Sequence, residues 1–225
     1  MRGPLAFLFA AVYALAAPVT TKRNPKDELL YVRIPPGTFS MGCSRGDAEC
    51  FTWEAAPHQV RVAKGFWIGQ TEVTQQAYSR VIGTNPSLYK GADLPVDQVS
   101  WFAARGYCEA VGMRLPTEVE WEYAARGGAA GARYGPLEDI AWFDPNSNDQ
   151  THPAALKKGN GFGLYDVLGN VWEWVQDRYE ADPRKRILRG GSFYNLARDL
   201  RISNRLWATP ETAHRNMGVR CAGDL

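Results

Sequence analysis

The segment RLPTEVEWEYAARG, residues 114–127, contains the strongest helix start signal in the chain. Thr117 and Glu120 have the spacing of a capping box, in which each side chain accepts a hydrogen bond from a backbone N–H at the helix start. The acids of this turn also lie at the positive end of the helix dipole, and the glycines at 127–128 end the helix. The segment therefore predicts a short helix flanked by loops.

A second segment, GLYDVLGNVWEW at residues 163–174, leads into a predicted strand at 171–175. The alternation of a strand places Trp172 and Trp174 on one face and Glu173 on the other. We therefore expect Glu173 to project away from the face that holds the two tryptophans.

Short strands and short helices make up the rest of the chain. Strands are predicted at 30–34, 38–42, 58–62, 66–72, 186–193, 200–204 and 217–222, and helices at 75–82 and 101–111. Residues 128–163 are rich in Gly, Asn, Asp and Pro, which predicts a long irregular loop. Without βαβ alternation this order indicates an α+β fold, with one domain at 30–225 after a polar linker at 18–29.

The composition is that of a globular protein. The chain has 225 residues, of which 45% are hydrophobic and 22% charged, and eight are Trp. These values exclude a disordered or collagen-like chain. The formal net charge of +2 argues against nucleic acid as a partner and against a polybasic membrane anchor.

The first seventeen residues have the pattern of a cleaved secretory signal. Arg2 gives a positive start, residues 5–17 form an apolar run, and Ala14 and Ala16 are small residues near its end. The run is shorter than the roughly 20 residues that span a bilayer. We therefore expect a secreted or periplasmic protein, with residues 1–17 removed as a signal peptide and no membrane span after cleavage.

The four cysteines are even in number, which in an exported protein suggests two disulfides. Three pairings are possible. The short polar loop between Cys43 and Cys50 favours a local bridge, which leaves Cys108 to pair with Cys221. Metal binding by these cysteines is disfavoured because the chain has no CxxC pair.

Several motifs together resemble one family. These motifs are PGTFSMG (36–42), QTEVT (70–74), PVDQVSW (95–101), the two segments quoted above and RGGS (189–192). In this order the chain resembles the formylglycine-generating enzyme, or sulfatase-modifying factor, family from about Tyr31 to Ala222. The resemblance implies a variant of the C-type-lectin-like fold with little regular secondary structure, and it implies the same pairing of Cys108 with Cys221.

The resemblance also implies a chemistry for which this chain lacks the residues. Enzymes of the family oxidise a sulfatase cysteine to formylglycine, using O₂ and a copper(I) ion held by two cysteines. Counted from Ser192 of the RGGS motif, those two positions hold Asn195 and Leu200. Copper(I) requires thiolate or thioether ligands. We therefore expect no copper and no formylglycine synthesis.

Another branch of the superfamily uses iron, with ligands largely from a helical domain fused ahead of this one. The histidines of this chain are His58, His152 and His214, and none has a second ligand at helical metal-binding spacing. An iron site would require the fold to bring these histidines together.

A structural calcium ion is the metal that the sequence favours. Asp166 and Glu173, with the carbonyls of Gly169 and Val171, can form the all-oxygen cage that calcium prefers. In the resembling enzymes these four positions hold a structural calcium. The alternative is that both acids are ordinary solvated charges.

A binding cleft is the remaining functional feature that the resemblance implies. Trp172, Ser192 and Asn216 match positions that line the peptide cleft of the resembling enzymes, and Asn195 belongs to the same candidate site. The alternative is core packing for Trp172 and turn chemistry for the polar residues. The sequence favours a monomeric, calcium-stabilised binding or accessory module for a peptide or small molecule. The alternative function is an oxygen-dependent oxidoreductase with a different metal centre or substrate.

Overall fold

A computed structural model describes residues 19–225, so the predicted signal segment lies outside the described residues. Its strands are β1 (Thr21–Arg23), β2 (Leu30–Ile34), β3 (Gly37–Met41), β4 (His58–Val62), β5 (Phe66–Gly69), β6 (Trp172–Tyr179), β7 (Asp182–Arg189), β8 (Arg205–Ala208), β9 (Met217–Gly218) and β10 (Ala222–Asp224). Its α-helices are α1 (Gln75–Ile82), α2 (Trp101–Ala110), α3 (Glu118–Arg126), α4 (Leu137–Ile140) and α5 (Asp144–Ser147). In this part of the chain, every helix is too short or too polar to cross a bilayer.

Two four-stranded sheets and one hairpin organise these elements. The first sheet has the antiparallel order β1-β2-β5-β10, and the second has the order β8-β7-β6-β9 with β9 parallel to β6. Strands β3 and β4 form the hairpin. The helices lie between the strands in sequence without parallel βαβ units, so the predicted α+β class is confirmed.

The three predicted helices each begin after a residue whose side chain caps the helix. The side chains of Thr74 and Ser100 accept hydrogen bonds from backbone N–H groups of α1 and α2. The capping box of α3 is complete, because Glu120 N donates to Thr117 Oγ1 and Thr117 N donates to Glu120 Oε2. Gly127 ends α3 in the left-handed conformation that favours glycine. Local signals therefore fix these helices.

Strand β6 separates two hydrophobic cores. Trp172 and Trp174 pack in one core with Tyr107, whereas Val175 packs in the other with Trp121. The predicted alternation is correct, but both faces of the strand are buried. Glu173 therefore projects into the interior, away from the two tryptophans of its own strand.

Both predicted disulfides are present. Cys43 is bonded to Cys50 within a surface loop. Cys108 of α2 is bonded to Cys221 just before β10, across 113 positions of sequence. The second bridge ties the C-terminal strand to the helix that packs beneath it.

Several segments differ from the sequence predictions. The predicted strand at 217–222 is split into β9 and β10, which belong to different sheets, and the strands predicted at 66–72 and 186–193 end at Gly69 and Arg189. The predicted strand at 200–204 is wrong, because the chain turns there and β8 begins only at Arg205. All five residues of the turn are buried. The segment therefore has no side that faces solvent, as a strand at the edge of a sheet would have.

The predicted linker contains β1, and its Asp27 accepts hydrogen bonds from two buried tyrosine hydroxyls. The predicted loop at 128–163 contains α4 and α5.

Candidate functional site

The four residues predicted to line a cleft lie next to one another. Asn195 Oδ1 accepts two hydrogen bonds, from Trp172 Nε1 at 2.9 Å and from Ser192 Oγ at 2.7 Å. Ser192 Oγ in turn accepts from Asn216 Nδ2 at 3.2 Å. The start of β6, the turn after β7 and the loop before β9 thus meet in one polar cluster, which we call the Asn195 cluster.

The turn after β7 depends on its two glycines. Gly190 and Gly191 have φ values of 99° and 80°, which L side chains rarely adopt. A Cβ atom on Gly191 would lie 2.8 Å from Leu200 Cδ1. The turn can therefore place Ser192 in the cluster with Trp172 only because positions 190 and 191 lack side chains.

The Asn195 cluster does not contain an activated nucleophile. Ser192 donates its proton to an amide oxygen, which is too weak a base to remove it. The nearest histidine, His214, places Nδ1 at 2.6 Å from Asn216 Oδ1 rather than near Ser192. The groups of the cluster are neutral and hydrogen-bonded to one another, Trp172, Ser192 and Asn216 are buried, and the neighbours of Asn195 in sequence, Tyr194 and Leu196, are exposed. This combination suits binding rather than acid–base chemistry.

The two positions that carry copper ligands in the resembling enzymes do not fit copper here. The oxygen of Asn195 is already occupied by two donors, and its Nδ2 donates to Asp199 Oδ2 at 3.2 Å. Leu200 is fully buried in the hydrophobic core and has no donor atom. Neither residue supplies the soft sulfur ligand that copper(I) requires.

The two acids predicted to bind calcium are buried rather than solvated. Glu173 accepts hydrogen bonds from Arg220 Nη2 at 2.7 Å and from Trp121 Nε1 at 2.6 Å. Asp166 Oδ2 accepts from Ala155 N at 2.7 Å. Its Oδ1 is buried and has no hydrogen-bond partner among residues 19–225. The alternative that both acids are ordinary solvated charges is therefore wrong.

Sequence reasoning missed two further charged residues of this buried group. Glu72 accepts hydrogen bonds from Val171 N at 3.0 Å and from Asn170 Nδ2 at 2.8 Å, and Arg220 pairs with Glu173. Burial, followed by the charges of Asp166 and Glu173, raises the pKa of Glu72 well above its usual range. Burial also raises the pKa of Asp166 to about 6. Glu72 lies in the QTEVT motif, and this motif was the signal that could have indicated Glu72 as a residue of the buried group.

This buried group fits a hard cation at Asp166. The unpartnered Oδ1 needs a donor or a cation, because a buried polar atom without a partner costs free energy. Asp166 and Gly169 both have left-handed φ values, 53° and 85°, so the chain turns sharply around this point. Glu173 is a less suitable ligand for a cation, because Arg220 already compensates its charge. Asp166 is therefore the residue on which the calcium assignment depends.

The described residues do not gather the histidines into a metal site. His58 is exposed, and His152 stacks on Trp142 with 3.9 Å between ring centroids. Within residues 19–225, the set of three side-chain ligand groups close enough to share an ion is Cys43, Asp47 and Cys50, so the buried acids around Asp166 do not bring three carboxylates that close together. The two cysteines of this set are bonded to each other and cannot act as thiolates.

Comparison with known proteins identifies relatives over nearly the whole chain. Residues 16–225 match the family model described as the sulfatase-modifying factor enzyme 1-like domain. Inactive C-alpha-formylglycine-generating enzyme 2 of Bos taurus is 38% identical over 167 residues, which cover 62% of this chain and 54% of that protein. The formylglycine-generating enzyme of Streptomyces coelicolor is 28% identical over 297 residues and 94% of each protein. The chain spans about half the length of the inactive relatives that it matches.

A solved structure shares the same architecture. PvdO from Pseudomonas aeruginosa superposes with a TM-score of 0.83 at 26% sequence identity. The match covers 93% of this chain and 99% of that one. The overall fold is therefore shared with a known protein.

Proposed function

Because the chain belongs to the sulfatase-modifying factor enzyme 1-like domain family, we propose that it is an exported, non-catalytic binding module. The fold that the resemblance implied, a formylglycine-generating-enzyme-like variant of the C-type-lectin-like fold, is confirmed. The proposed ligand is a peptide or small molecule held at the Asn195 cluster.

One observation carries the proposal. The side chains at the two redox positions are a hydrogen-bonded amide, Asn195, and a buried leucine, Leu200. A site without thiolates cannot hold copper(I) for dioxygen chemistry, while the exposed side chains of Tyr194 and Leu196 next to Asn195 leave a surface that a ligand can contact.

The relatives support a non-catalytic assignment. The bovine and mouse proteins that match this chain at 38% and 37% identity are both described as inactive formylglycine-generating enzymes. Members without the activity therefore exist among the relatives of this chain, and the loss of both cysteines gives a chemical reason for placing it with them.

The surface at the Asn195 cluster supports a ligand with both polar and apolar groups. Tyr194 is 56% exposed and Leu196 is 61% exposed. The guanidinium of Arg215 lies 5.3 Å from the centroid of Tyr194, so the aromatic side chain is held in place. An extended peptide could place a backbone amide against the cluster and a hydrophobic side chain against Tyr194 and Leu196.

Calcium is proposed as the stabilising ion. Asp166 would be its principal side-chain ligand, with Glu173 and the carbonyls of Gly169 and Val171 as the other oxygens. The buried Oδ1 of Asp166 supports this assignment. Bound calcium would neutralise charge among the buried acids and fix the loop that leads into β6.

Export is proposed from the apolar N-terminal run and is supported by the disulfides. The described cysteines are all bonded, in two pairs. Disulfides persist in oxidising compartments and are rare in the cytosol.

Peptide display against the purified protein tests the binding role. Selected peptides should bind the wild type, and their affinity should fall about tenfold in Asn195→Ala, because two charge-free hydrogen bonds and the position of Trp172 are lost. The matched control is Asn148→Ala, which changes an exposed asparagine outside the cluster. Failure to select any peptide, or equal binding by both variants, would contradict the proposal.

The oxidoreductase alternative is tested on the same preparation. Oxygen uptake is measured with thiol and phenol substrates after the protein has been loaded separately with iron(II) and copper(I). The binding module should show no uptake above the protein-free control. Turnover with either metal would instead support an enzyme with a different centre.

A further inference from the structure

A basic cavity lies between α2 and the hairpin of β6 and β7, and none of its lining residues belongs to the Asn195 cluster. Its volume is about 420 Å³. Its charged lining residues are Arg105, Glu109, Arg114, Arg178 and Arg186. Four arginines thus face a single acid.

Two of these arginines are already compensated. Arg105 Nε lies 2.7 Å from Glu109 Oε1. Arg114 Nη2 lies 2.7 Å from both Glu120 Oε1 and Asp224 Oδ1. The Arg105 pair is neutral, and the one excess acid beside Arg114, Asp224, is 85% exposed and does not line the cavity.

Arg178 and Arg186 form an uncompensated pair of like charges. They lie directly opposite each other on β6 and β7, and neither forms a salt bridge within residues 19–225. Asp177, next to Arg178 in sequence, accepts a hydrogen bond from Glu118 N, and its charge only partly offsets the causes that lower the pKa of Arg186. Like charges at opposed cross-strand positions destabilise a sheet, and burial together with the charges of Arg178 and Arg105 lowers the pKa of Arg186.

Arg186 is held in a fixed position. Its guanidinium lies 3.9 Å from the centroid of the Trp101 ring, and its Nη1 donates to Gln176 O at 2.8 Å. Trp101 is itself fixed, because it is buried and its Nε1 donates to Val175 O at 2.9 Å. A cation held this way loses little conformational entropy when it binds an anion.

We propose that this cavity binds a tetrahedral oxyanion, a phosphate or sulfate group, between Arg178 and Arg186. The planar guanidinium group presents paired N–H donors that match phosphate-like oxygens. A bound dianion would also remove the repulsion between the two arginines. The site is independent of the proposed function at the Asn195 cluster and requires no metal.

The test measures thermal unfolding and binding heat of the purified protein with sodium sulfate or sodium phosphate, against sodium chloride at matched ionic strength. The variants are Arg178→Gln and Arg186→Gln. The control is Arg184→Gln, which removes the same charge from β7 at a side chain that is 86% exposed and paired with Asp182. The control is needed because sulfate and phosphate also stabilise proteins through exclusion from the surface.

The wild type and Arg184→Gln should show saturable anion binding, and each of the other variants should bind at least about tenfold more weakly. In chloride, Arg178→Gln should be at least as stable as the wild type, because the repulsion between the two arginines is gone. Weaker anion binding by this variant would then reflect loss of the site and not loss of the fold. Equal anion responses in all four proteins would overturn the proposal. A sugar sulfate or phosphate ester that binds more tightly than the free ion would identify an ester-borne group; equal binding would identify the free anion.

Discussion

Asn195 is the residue on which the proposed binding role depends. Its oxygen accepts from Trp172 and Ser192, and its nitrogen donates to Asp199, so the amide has one preferred orientation. A neutral amide that is fixed by its neighbours can position a ligand but cannot transfer an electron. In the proposed function, Asn195 and Leu200 together remove the redox ligands, and Asn195 serves as a recognition position.

Asp166 is the residue at which calcium binding is best tested. Glu173→Gln would disrupt the pair with Arg220 in any buffer, so its effect would not report on calcium alone. Asp166→Asn keeps the size of the side chain but weakens a hard-cation site. We expect calcium to raise the melting temperature of the wild type and to have a clearly smaller effect on this variant.

The control for calcium binding is Asp144→Asn, which changes an exposed acid and should respond as the wild type does. Calcium and chelator titrations followed by calorimetry provide the measurement. Identical calcium responses in all three proteins, including no response at all, would remove the metal assignment.

Asp97 predicts a pH dependence of stability. Its Oδ1 accepts from Leu88 N at 2.8 Å, its Oδ2 is buried without a partner in the described part of the chain, and burial raises its pKa to about 6 from an ordinary 3.8. Between these two pH values the unfolded chain has released the proton that the folded chain still holds, so the unfolding free energy from this residue falls as pH rises. Above pH 6, ionised Asp97 lowers the unfolding free energy by on the order of 3 kcal/mol.

Urea unfolding of the wild type and Asp97→Asn at pH 4 to 7 measures this effect. The difference in unfolding free energy between variant and wild type should shift in favour of the variant as pH rises. A difference that stays constant across this range would show that Asp97 does not titrate as described.

At the scale of secondary-structure elements, local signals predicted the helices better than the strands. Caps and capping boxes depend on residues three positions apart, so Thr117 and Glu120 were readable from the sequence. The turn at 200–204 was not, because the buried Arg201 is compensated by Glu54 and Asp47, which are 147 and 154 positions away. Such a pairing has no local pattern. Because of this pairing, a segment whose alternating sequence pattern predicts a strand forms a buried turn.

The same limit applies to the candidate site. The positions of Trp172, Ser192, Asn195 and Asn216 could be inferred from motifs, but their mutual hydrogen bonds could not. Arg220 was missed because its partner, Glu173, is 47 positions away. Buried ion pairs are recognised only when the fold has brought both members together.

The pair of Arg201 and Glu54 should anchor the disulfide loop to the turn at 200–204. Both side chains are fully buried, and Glu54 also accepts from Ser203 Oγ at 2.6 Å. Glu54→Gln leaves a buried guanidinium with reduced compensation, which should lower the unfolding free energy by about 3 kcal/mol. The matched control is Glu49→Gln, because Glu49 is half exposed and lies 3.5 Å from Arg133; it should change stability by less than about 0.5 kcal/mol. Equal effects in denaturant titrations would contradict this role.

At the scale of the whole molecule, the disulfide between Cys108 and Cys221 should contribute more stability than the one between Cys43 and Cys50. The sequence separations are 113 and 7 positions, and loop entropy predicts losses of about 4.8 and about 2.5 kcal/mol when each is replaced by a pair of alanines. Cys108 and Cys221 are also buried in the core, which adds a packing cost. Guanidinium unfolding of both double variants gives the comparison, and a greater loss from the Cys43 and Cys50 pair would contradict this prediction.

The whole molecule keeps the scaffold of its family while its site lacks the family's redox ligands. Two cores, two disulfides and a group of buried ion pairs hold the fold, and at one position of the missing cysteines Leu200 is part of a core. The scaffold can therefore persist as a binding module.

Incubation of the purified protein with copper, O₂ and a cysteine-containing sulfatase peptide tests this account most directly. Mass spectrometry and aldehyde labelling follow the peptide, and the same peptide with serine in place of cysteine is the control. The account predicts unchanged cysteine in the substrate peptide and no aldehyde in either sample. Formation of formylglycine from the cysteine peptide alone would contradict it.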